Sequence, residues 1–214
     1  MRKYLIALAM LLVASGPAAT AMVTDTNPAV LNGANIQATR TLTISAPGSV
    51  LDVILELDFA KCNDRANTTG CTSDDGRSPF FYEIVFSLES PDGTVVEAIP
   101  ESTWKNGTSP NFSGIITLDD SAAQLVNFNL NRPVAGTYRP MNPFTVFDGE
   151  TAAGDWTLTA LDRWSGEPLV YRSSTLTVVT APSVVPIPAA LPLFASALVG
   201  YGFVARRKHK AQAA

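Results

Sequence analysis

The sequence predicts an all-β domain, an antiparallel β-sandwich, between two apolar helices at the ends of the chain. Apolar and polar residues alternate with a period of two in several segments, and turn signals separate those segments. No window of helical length between the two ends has a clear amphipathic stripe, although residues 121–126 could form a turn or two of helix. Many short strands joined by turns are typical of a sandwich.

The strand predictions depend on four segments and three shorter ones. Leu51, Val53, Leu55, Leu57 and Phe59 are predicted to face inward, with residues 52, 54, 56 and 58 facing outward. The same alternation recurs at 82–88, where it places Glu83 on the outer face, and at 155–160 and 175–178. Residues 41–44, 94–98 and 115–118 are shorter candidates. "APG" (46–48), "SPDGT" (90–94), "NG" (106–107) and "SGEP" (165–168) supply turns.

The first 21 residues have the order of a secretory signal peptide. Arg2 and Lys3 precede an apolar run at 5–13, and Ala19-Thr20-Ala21 offers small residues for signal peptidase. We therefore expect an exported protein whose mature chain begins at Met22. The alternative, a buried N-terminal helix, does not explain this order.

Residues 182–214 are predicted to form a proline linker, a transmembrane helix and a basic tail. The eighteen residues from 187 to 204 carry no charge, which is the lower limit for a helix that spans a bilayer. Four cations follow at 206, 207, 208 and 210, and such residues stay on the cytoplasmic side, so the domain would lie outside. The alternative is an internal core helix.

The tail also resembles a known sorting signal. "VPIPAALPLFASALVGYGFVARRK" (185–208) is similar to the VPLPA variety of the PEP-CTERM signal. The matching positions are Val185, Pro186, Ile187, Pro188 and Ala189, then Arg206, Arg207 and Lys208. The resemblance implies an exosortase-type partner in a Gram-negative inner membrane, often in a producer of exopolysaccharide. The protein would be anchored there before processing, and afterwards would lie in the envelope or outside the cell.

The domain between these ends, residues 22–181, is acidic. It contains all nineteen Asp and Glu residues against nine Lys and Arg, a net charge of −10. We expect no nucleic acid partner, because nucleic acid phosphates need cations and this domain is acidic. Calcium is a possible ligand because it binds carboxylate oxygens. The candidate ligands are Asp58, Asp64, Asp74, Asp75, Asp119 and Asp120, and the alternative is a solvated acidic surface.

The chain has two cysteines, Cys62 and Cys71, in a polar loop. An exported protein meets an oxidising compartment, so we expect a disulfide that closes this loop. The spacing does not indicate a zinc site, because no histidine lies nearby.

The middle of the chain resembles the P domain (P/Homo B) that follows the catalytic domain of subtilisin-like proprotein convertases. The similar segments are "FFYEIVFSLESPDGTVVEAI" (80–99) and "AGTYRPMNPFTVFDGETAAGDWTLTALDRWSGEPLVYRSSTLTV" (135–178). They contain the family's S-P-x-G-T, F-x-G-E and G-x-W-x-L patterns, followed by Asp162. The resemblance implies a jelly-roll sandwich of the galactose-binding-like type. The family's W-x-G-D-L stretch is absent, and the cysteine loop occupies its place.

No catalytic set is evident, so we expect a protein that is not an enzyme. A serine protease needs a histidine, and the only one, His209, lies in the tail. Lys61 and Lys105, the domain's lysines, fall in apparently polar loops. The carboxylates at 148, 150, 155, 162 and 167 could form a glycosidase-like pair, but fixing turns and sheet ends is the better interpretation.

Three functions remain open from the sequence. The first is a non-catalytic protein of the envelope or extracellular matrix. The second is a polysaccharide-binding module, with Trp104 and Trp164 stacking on sugar rings, although either could instead cap the sandwich. The third is an accessory factor for a separate secreted serine protease.

Overall fold

Two β-sheets make up the domain in a computed structural model of the chain, which describes residues 17–63, 79–105 and 111–181. The regular elements of these residues are ten strands and two short 3-10 helices. The strands are β1 (Ala19–Asp25), β2 (Ala29–Leu31), β3 (Ile36–Ile44), β4 (Val50–Lys61), β5 (Ile84–Glu89), β6 (Val95–Ile99), β7 (Phe112–Asp119), β8 (Gly136–Tyr138), β9 (Gly154–Asp162) and β10 (Leu169–Thr180). The 3-10 helices are Phe81–Glu83 and Phe144–Phe147. The prediction of an all-β fold is confirmed.

The strands divide into a six-stranded and a four-stranded sheet. The larger sheet has the order β1-β10-β4-β7-β8, with β2 also paired to β10, and the smaller has the order β3-β9-β5-β6. The strand pairs are antiparallel except for β7 with β8, which is parallel. Strand β4 is central in the larger sheet and β9 in the smaller one, so these two strands supply much of the core.

The inward rows of the two sheets pack together as the alternation predicts. Leu55, Leu57 and Phe59 of β4 are fully buried, and residues 156, 158 and 160 of β9 are buried as well. The Phe59 ring lies 5.1 Å from Phe86 and 4.8 Å from Phe112, measured between ring centroids. These contacts join the sheets through apolar surface, whose burial is the main favourable term in folding.

One inward residue of β4 was predicted wrongly. Leu51 is 50% exposed, whereas Val50 is fully buried. The register with β10 pairs Asp52 with Val179 and Val50 with Thr180, so Leu51 is an extra residue in a bulge. A bulge inverts the alternation of faces at that point. The inward row therefore begins at Val50 and not at Leu51.

Residues 121–126 do not form the suggested helical turn. They follow β7 as turns and bends, and only an isolated bridge joins Leu125 to Arg139. Val126 is buried against the core. The segment therefore covers the sandwich without regular structure.

The two ends of the chain lie mostly outside the described residues. Strand β1 begins at Ala19, three residues before the predicted mature N-terminus at Met22. From Met22 to Asp25 it would still pair with residues 174–177 of β10 after cleavage. The sorting motif and the predicted transmembrane helix at 187–204 fall outside the described part. Within residues 17–63, 79–105 and 111–181, no helix has the length and apolar character to cross a membrane.

Candidate functional site

The inward rows of the two central strands each end in a charged residue. In β4 the row continues from Phe59 to Lys61, and in β9 it continues from Ala160 to Asp162. Because side chains alternate along a strand, both charged side chains point between the sheets. Both are fully buried. Two residues of opposite sheets and opposite charge therefore meet in the interior.

Lys61 lies among three acidic residues, which we call the Lys61 cluster: Lys61, Glu83, Asp162 and Glu167. Its Nζ is 3.1 Å from both Oδ1 and Oδ2 of Asp162, and it also contacts Oε1 of Glu83. It donates a further hydrogen bond to the main-chain carbonyl of Glu167 at 2.5 Å. The ammonium group is thus held by protein oxygens on several sides.

The backbone fixes the carboxyl groups of this cluster. The N–H of Leu169 donates to Oδ2 of Asp162 at 3.3 Å. Glu83 ends the first 3-10 helix, and its carbonyl accepts the N–H of Arg163 at 3.2 Å. Since Ile84 pairs with Asp162 in the smaller sheet, the residue before it is placed beside Asp162.

Burial changes the protonation of these carboxyl groups. Removal from water, opposed by Lys61, raises the pKa of Glu83 to about 7 from an ordinary value of 4.5. Burial also raises the pKa of Asp162, while Lys61 and a hydrogen bond from the Leu169 N–H oppose that rise. Near neutral pH, Glu83 can therefore both carry and release a proton.

The cluster can move protons among its members but does not face the solvent. The side chains of Lys61, Glu83 and Asp162 have no exposed surface. A dissolved substrate would have to open the sandwich to reach them. The reactions available to this site are therefore reactions between side chains of the same chain.

The sequence analysis placed two members of the cluster wrongly. Lys61 is the last residue of a buried strand and not part of a polar loop, and Glu83 lies inside and not on the outer face. The signal that could have found Lys61 and Asp162 is the period-two row itself. Each lies two residues after the last apolar member of its row, so the alternation already placed it inside.

The candidate calcium ligands do not form one group in the described residues. Asp58 pairs with Arg172, with Nη1 and Oδ1 2.7 Å apart. Asp119 accepts the N–H of Ser121, and Asp120 accepts the N–H of Thr145. Asp64, Asp74 and Asp75 lie outside the described residues. Among the residues that are described, no three acidic, histidine or cysteine side chains are arranged to hold a metal ion.

The two candidate stacking residues differ in exposure. Trp104 is fully buried, and its Nε1 donates to the carbonyl of Val126 at 3.2 Å. The prediction that Trp104 stacks on sugars is therefore wrong, because its ring closes the end of the core. Trp164 is 53% exposed and remains available for stacking.

Cys62 follows directly after β4 and is buried. It carries no free thiol. Cys71 lies outside the described residues, so its disulfide with Cys62 stays a prediction.

A second polar contact joins the two motifs that resemble the P domain. Glu150 accepts hydrogen bonds from the hydroxyls of Ser90, at 2.5 Å, and Thr94. Its own carbonyl accepts the N–H of Val50 at 2.8 Å, which ties the same loop to the larger sheet. Glu150 thus fixes the turn between β5 and β6, as the structural interpretation of this carboxylate expected.

We expect Glu150→Ala to lower the free energy of unfolding by about 1–3 kcal/mol, because it removes the acceptor of two hydroxyls in a partly buried turn. Urea denaturation, followed by tryptophan fluorescence, measures the change. Glu89→Ala is the matched control, since Glu89 is exposed on the neighbouring strand. Equal stability of the two variants would show that Glu150 does not hold this turn.

Comparison with known proteins does not reveal a family. No family model matches the chain, and no curated protein does. Among solved structures, the Aeromonas sobria serine protease in complex with the chaperone ORF2 is similar, with 17% identity and a TM-score of 0.38 over 80% of this chain. The same organism's serine protease gives 16% identity and a TM-score of 0.37 over 81% of this chain. The chain spans 28% of the length of each. Likeness at this level indicates no function for this chain.

Proposed function

We propose that this chain is an exported, non-catalytic protein of the cell envelope or extracellular matrix, anchored in the membrane and then sorted by an exosortase-type enzyme. The observation that carries this proposal is the enclosure of the Lys61 cluster. The charged groups with the most unusual environment face one another across the interior and offer no surface to a substrate. A function in holding a domain together fits this arrangement better than turnover does.

The same proposal includes a jelly-roll sandwich of the P-domain type. Its support is that the quoted motifs contact each other: Ser90 and Thr94 of the first segment bind Glu150 of the second. Asp92 of the same turn accepts the N–H of Thr151 at 2.8 Å. Such contacts explain why these residue types occur together, and they require no catalytic partner.

Cell fractionation with intact mass spectrometry tests the exported location. We expect the chain in the envelope or the medium, lacking residues 1–21, and shortened at its C-terminus when an exosortase is present. A matched strain without the exosortase gene should retain the tail and the inner-membrane location. Recovery of a cytoplasmic chain that still carries its first 21 residues would refute the proposal.

A further inference from the structure

We propose that Lys61 and Asp162 become joined by an amide bond between Nζ and Cγ, which the folded chain forms on itself with Glu83 as the proton carrier. This covalent link between the two sheets does not depend on export or sorting. It follows from the geometry of the Lys61 cluster, which places an amine, a carboxyl group and a second carboxyl group together in the interior.

The first step of the argument is position. The Lys61 nitrogen is 3.1 Å from both Asp162 oxygens, so it faces the carboxyl group as a whole. The Glu167 carbonyl holds the amine and the Leu169 N–H holds the carboxyl group. Reacting groups held in this way behave as if their concentration were on the order of 10⁵–10⁸ M. An amide bond that does not form between free groups in water can therefore form here.

The second step is burial. Burial raises the pKa of Asp162 and so favours its uncharged acid, the form that an amine attacks. All three side chains are fully buried. Exclusion of water also removes the reagent that would hydrolyse the product. The same enclosure that prevents turnover of an outside substrate therefore favours this internal reaction.

The third step is proton transfer, for which Glu83 is well placed. Its carboxyl group contacts the Lys61 amine, which also contacts both oxygens of Asp162. Burial raises the pKa of Glu83 to about 7, so it can accept a proton and return it. A general acid and base of this kind is what condensation of an amine with an acid requires.

The reaction balances without an external reagent. The amine lone pair of Lys61 attacks Cγ of Asp162, and the negative charge that develops on Oδ2 is stabilised by the Leu169 N–H. Glu83 takes one proton from the nitrogen and delivers it to the leaving hydroxyl. One N–C bond forms, one C–O bond breaks and one water molecule leaves. Nothing is oxidised or reduced, and Glu83 returns to its starting state.

The other ion pairs among the described residues lack these features. Arg172 with Asp58 and Arg40 with Asp25 use guanidinium groups, which are not nucleophilic amines, and both pairs are partly exposed. The Lys61 pair also joins the central strands of the two sheets, across 101 residues of chain. A covalent link at this point would hold the two sheets together.

The test is mass spectrometry of the purified full-length product after denaturation and reduction. We expect nearly every molecule to be one water lighter than its processed sequence. Proteolysis should give a single branched peptide that contains residues 61 and 162. The branched peptide is decisive because Asp-Gly pairs, at 75–76, 92–93 and 148–149, can also lose water by local cyclisation.

Three variants complete the test. Lys61→Met should remove both the mass loss and the branched peptide. Asp162→Asn should still react, with loss of ammonia in place of water, because the amine attacks an amide carbon. Glu83→Gln should fold, as judged by circular dichroism, and remain unlinked.

The wild-type protein decides the proposal even if a variant does not fold. Folded wild-type chain with free Lys61 and Asp162 in its peptides would overturn it. A wild-type mass loss that persists in Lys61→Met would do the same, because the loss would then come from another site.

Discussion

Lys61→Met is expected to lower the free energy of unfolding by about 3–5 kcal/mol, the largest effect of any single substitution considered for this domain. Met has similar length and fits the space, but it leaves Glu83 and Asp162 buried without their cation. A buried carboxylate without a partner destabilises the fold by the full free-energy cost of its lost hydration. The loss should be greatest above neutral pH, where both carboxyl groups ionise.

Chemical denaturation of the purified chain at mildly alkaline pH measures this change. Lys105→Met is the matched control, because Lys105 is exposed and its substitution should change stability by no more than about 0.5 kcal/mol. Loss of the proposed amide bond would add to the effect of Lys61→Met. A variant as stable as the Lys105→Met control would mean that the cluster does not contribute to stability.

The triple variant Lys61→Met, Glu83→Gln and Asp162→Asn separates the two causes. It removes the charges of Lys61, Glu83 and Asp162 together, so neither Glu83 nor Asp162 is left as a carboxylate without its cation, and it also lacks the amide bond. Recovery of most of the stability would assign the loss in Lys61→Met to the unpaired carboxylates. A loss that remains in the triple variant would assign it to the missing cross-link.

The central strands could be predicted from the sequence because their alternation is locally complete. Leu55 to Phe59 in β4 and Trp156 to Ala160 in β9 each show the pattern within one short window. The bulge at Leu51 could not be predicted in this way, because it depends on how β10 pairs with β4. Val50 and Leu51 are both apolar, so the sequence of β4 alone does not show which of them faces inward.

Short strands were missed for a related reason. β2 and β8 have three residues each, too few for a period to appear. β8 also pairs in parallel with β7, a contact that no hairpin turn indicates. Strand β1 begins within the predicted signal peptide, whose composition hides any strand pattern.

The Lys61 cluster was missed because charge was taken as evidence of exposure. A lysine after an apolar strand and before a polar loop usually faces water, and a fully buried lysine is rare unless it is paired. The pairing residues lie 22 and 101 positions further along the chain, so only the fold brings them to Lys61. At this position the alternation of faces along the strand predicts burial better than the charge of the residue does, because the alternation places both Lys61 and Asp162 inside.

The pH dependence of stability should identify Glu83 directly. Its pKa is about 7 in the folded domain, above the ordinary value of 4.5, so the folded state binds the proton more firmly than the unfolded state. This group therefore contributes stability that is fully present below about pH 4.5 and is lost as pH rises through about 7. The loss is on the order of 3 kcal/mol.

Glu83→Gln removes this titration, because glutamine does not titrate, and the amide bond that the variant also lacks adds an offset with no pH dependence of its own. The free energy of unfolding of the wild type, minus that of Glu83→Gln, should fall as pH rises from about 4.5 to 8. The charged groups that face Glu83 are Lys61, Asp162 and Glu167. Lys61 and Asp162 keep their charges in the unlinked variant and lose them in a linked wild type. Burial is the main cause of the raised pKa, so the direction is the same with Lys61 free or in an amide bond.

Glu89→Gln is the control for this experiment, since Glu89 lies exposed on β5. Its difference from the wild type should change little over the same pH range. The difference for Glu83→Gln must slope downward with pH if the carboxyl group is enclosed as described. A difference that does not change with pH would mean that Glu83 is in contact with water. Glu83 would then not be the proton carrier that formation of the Lys61–Asp162 bond requires.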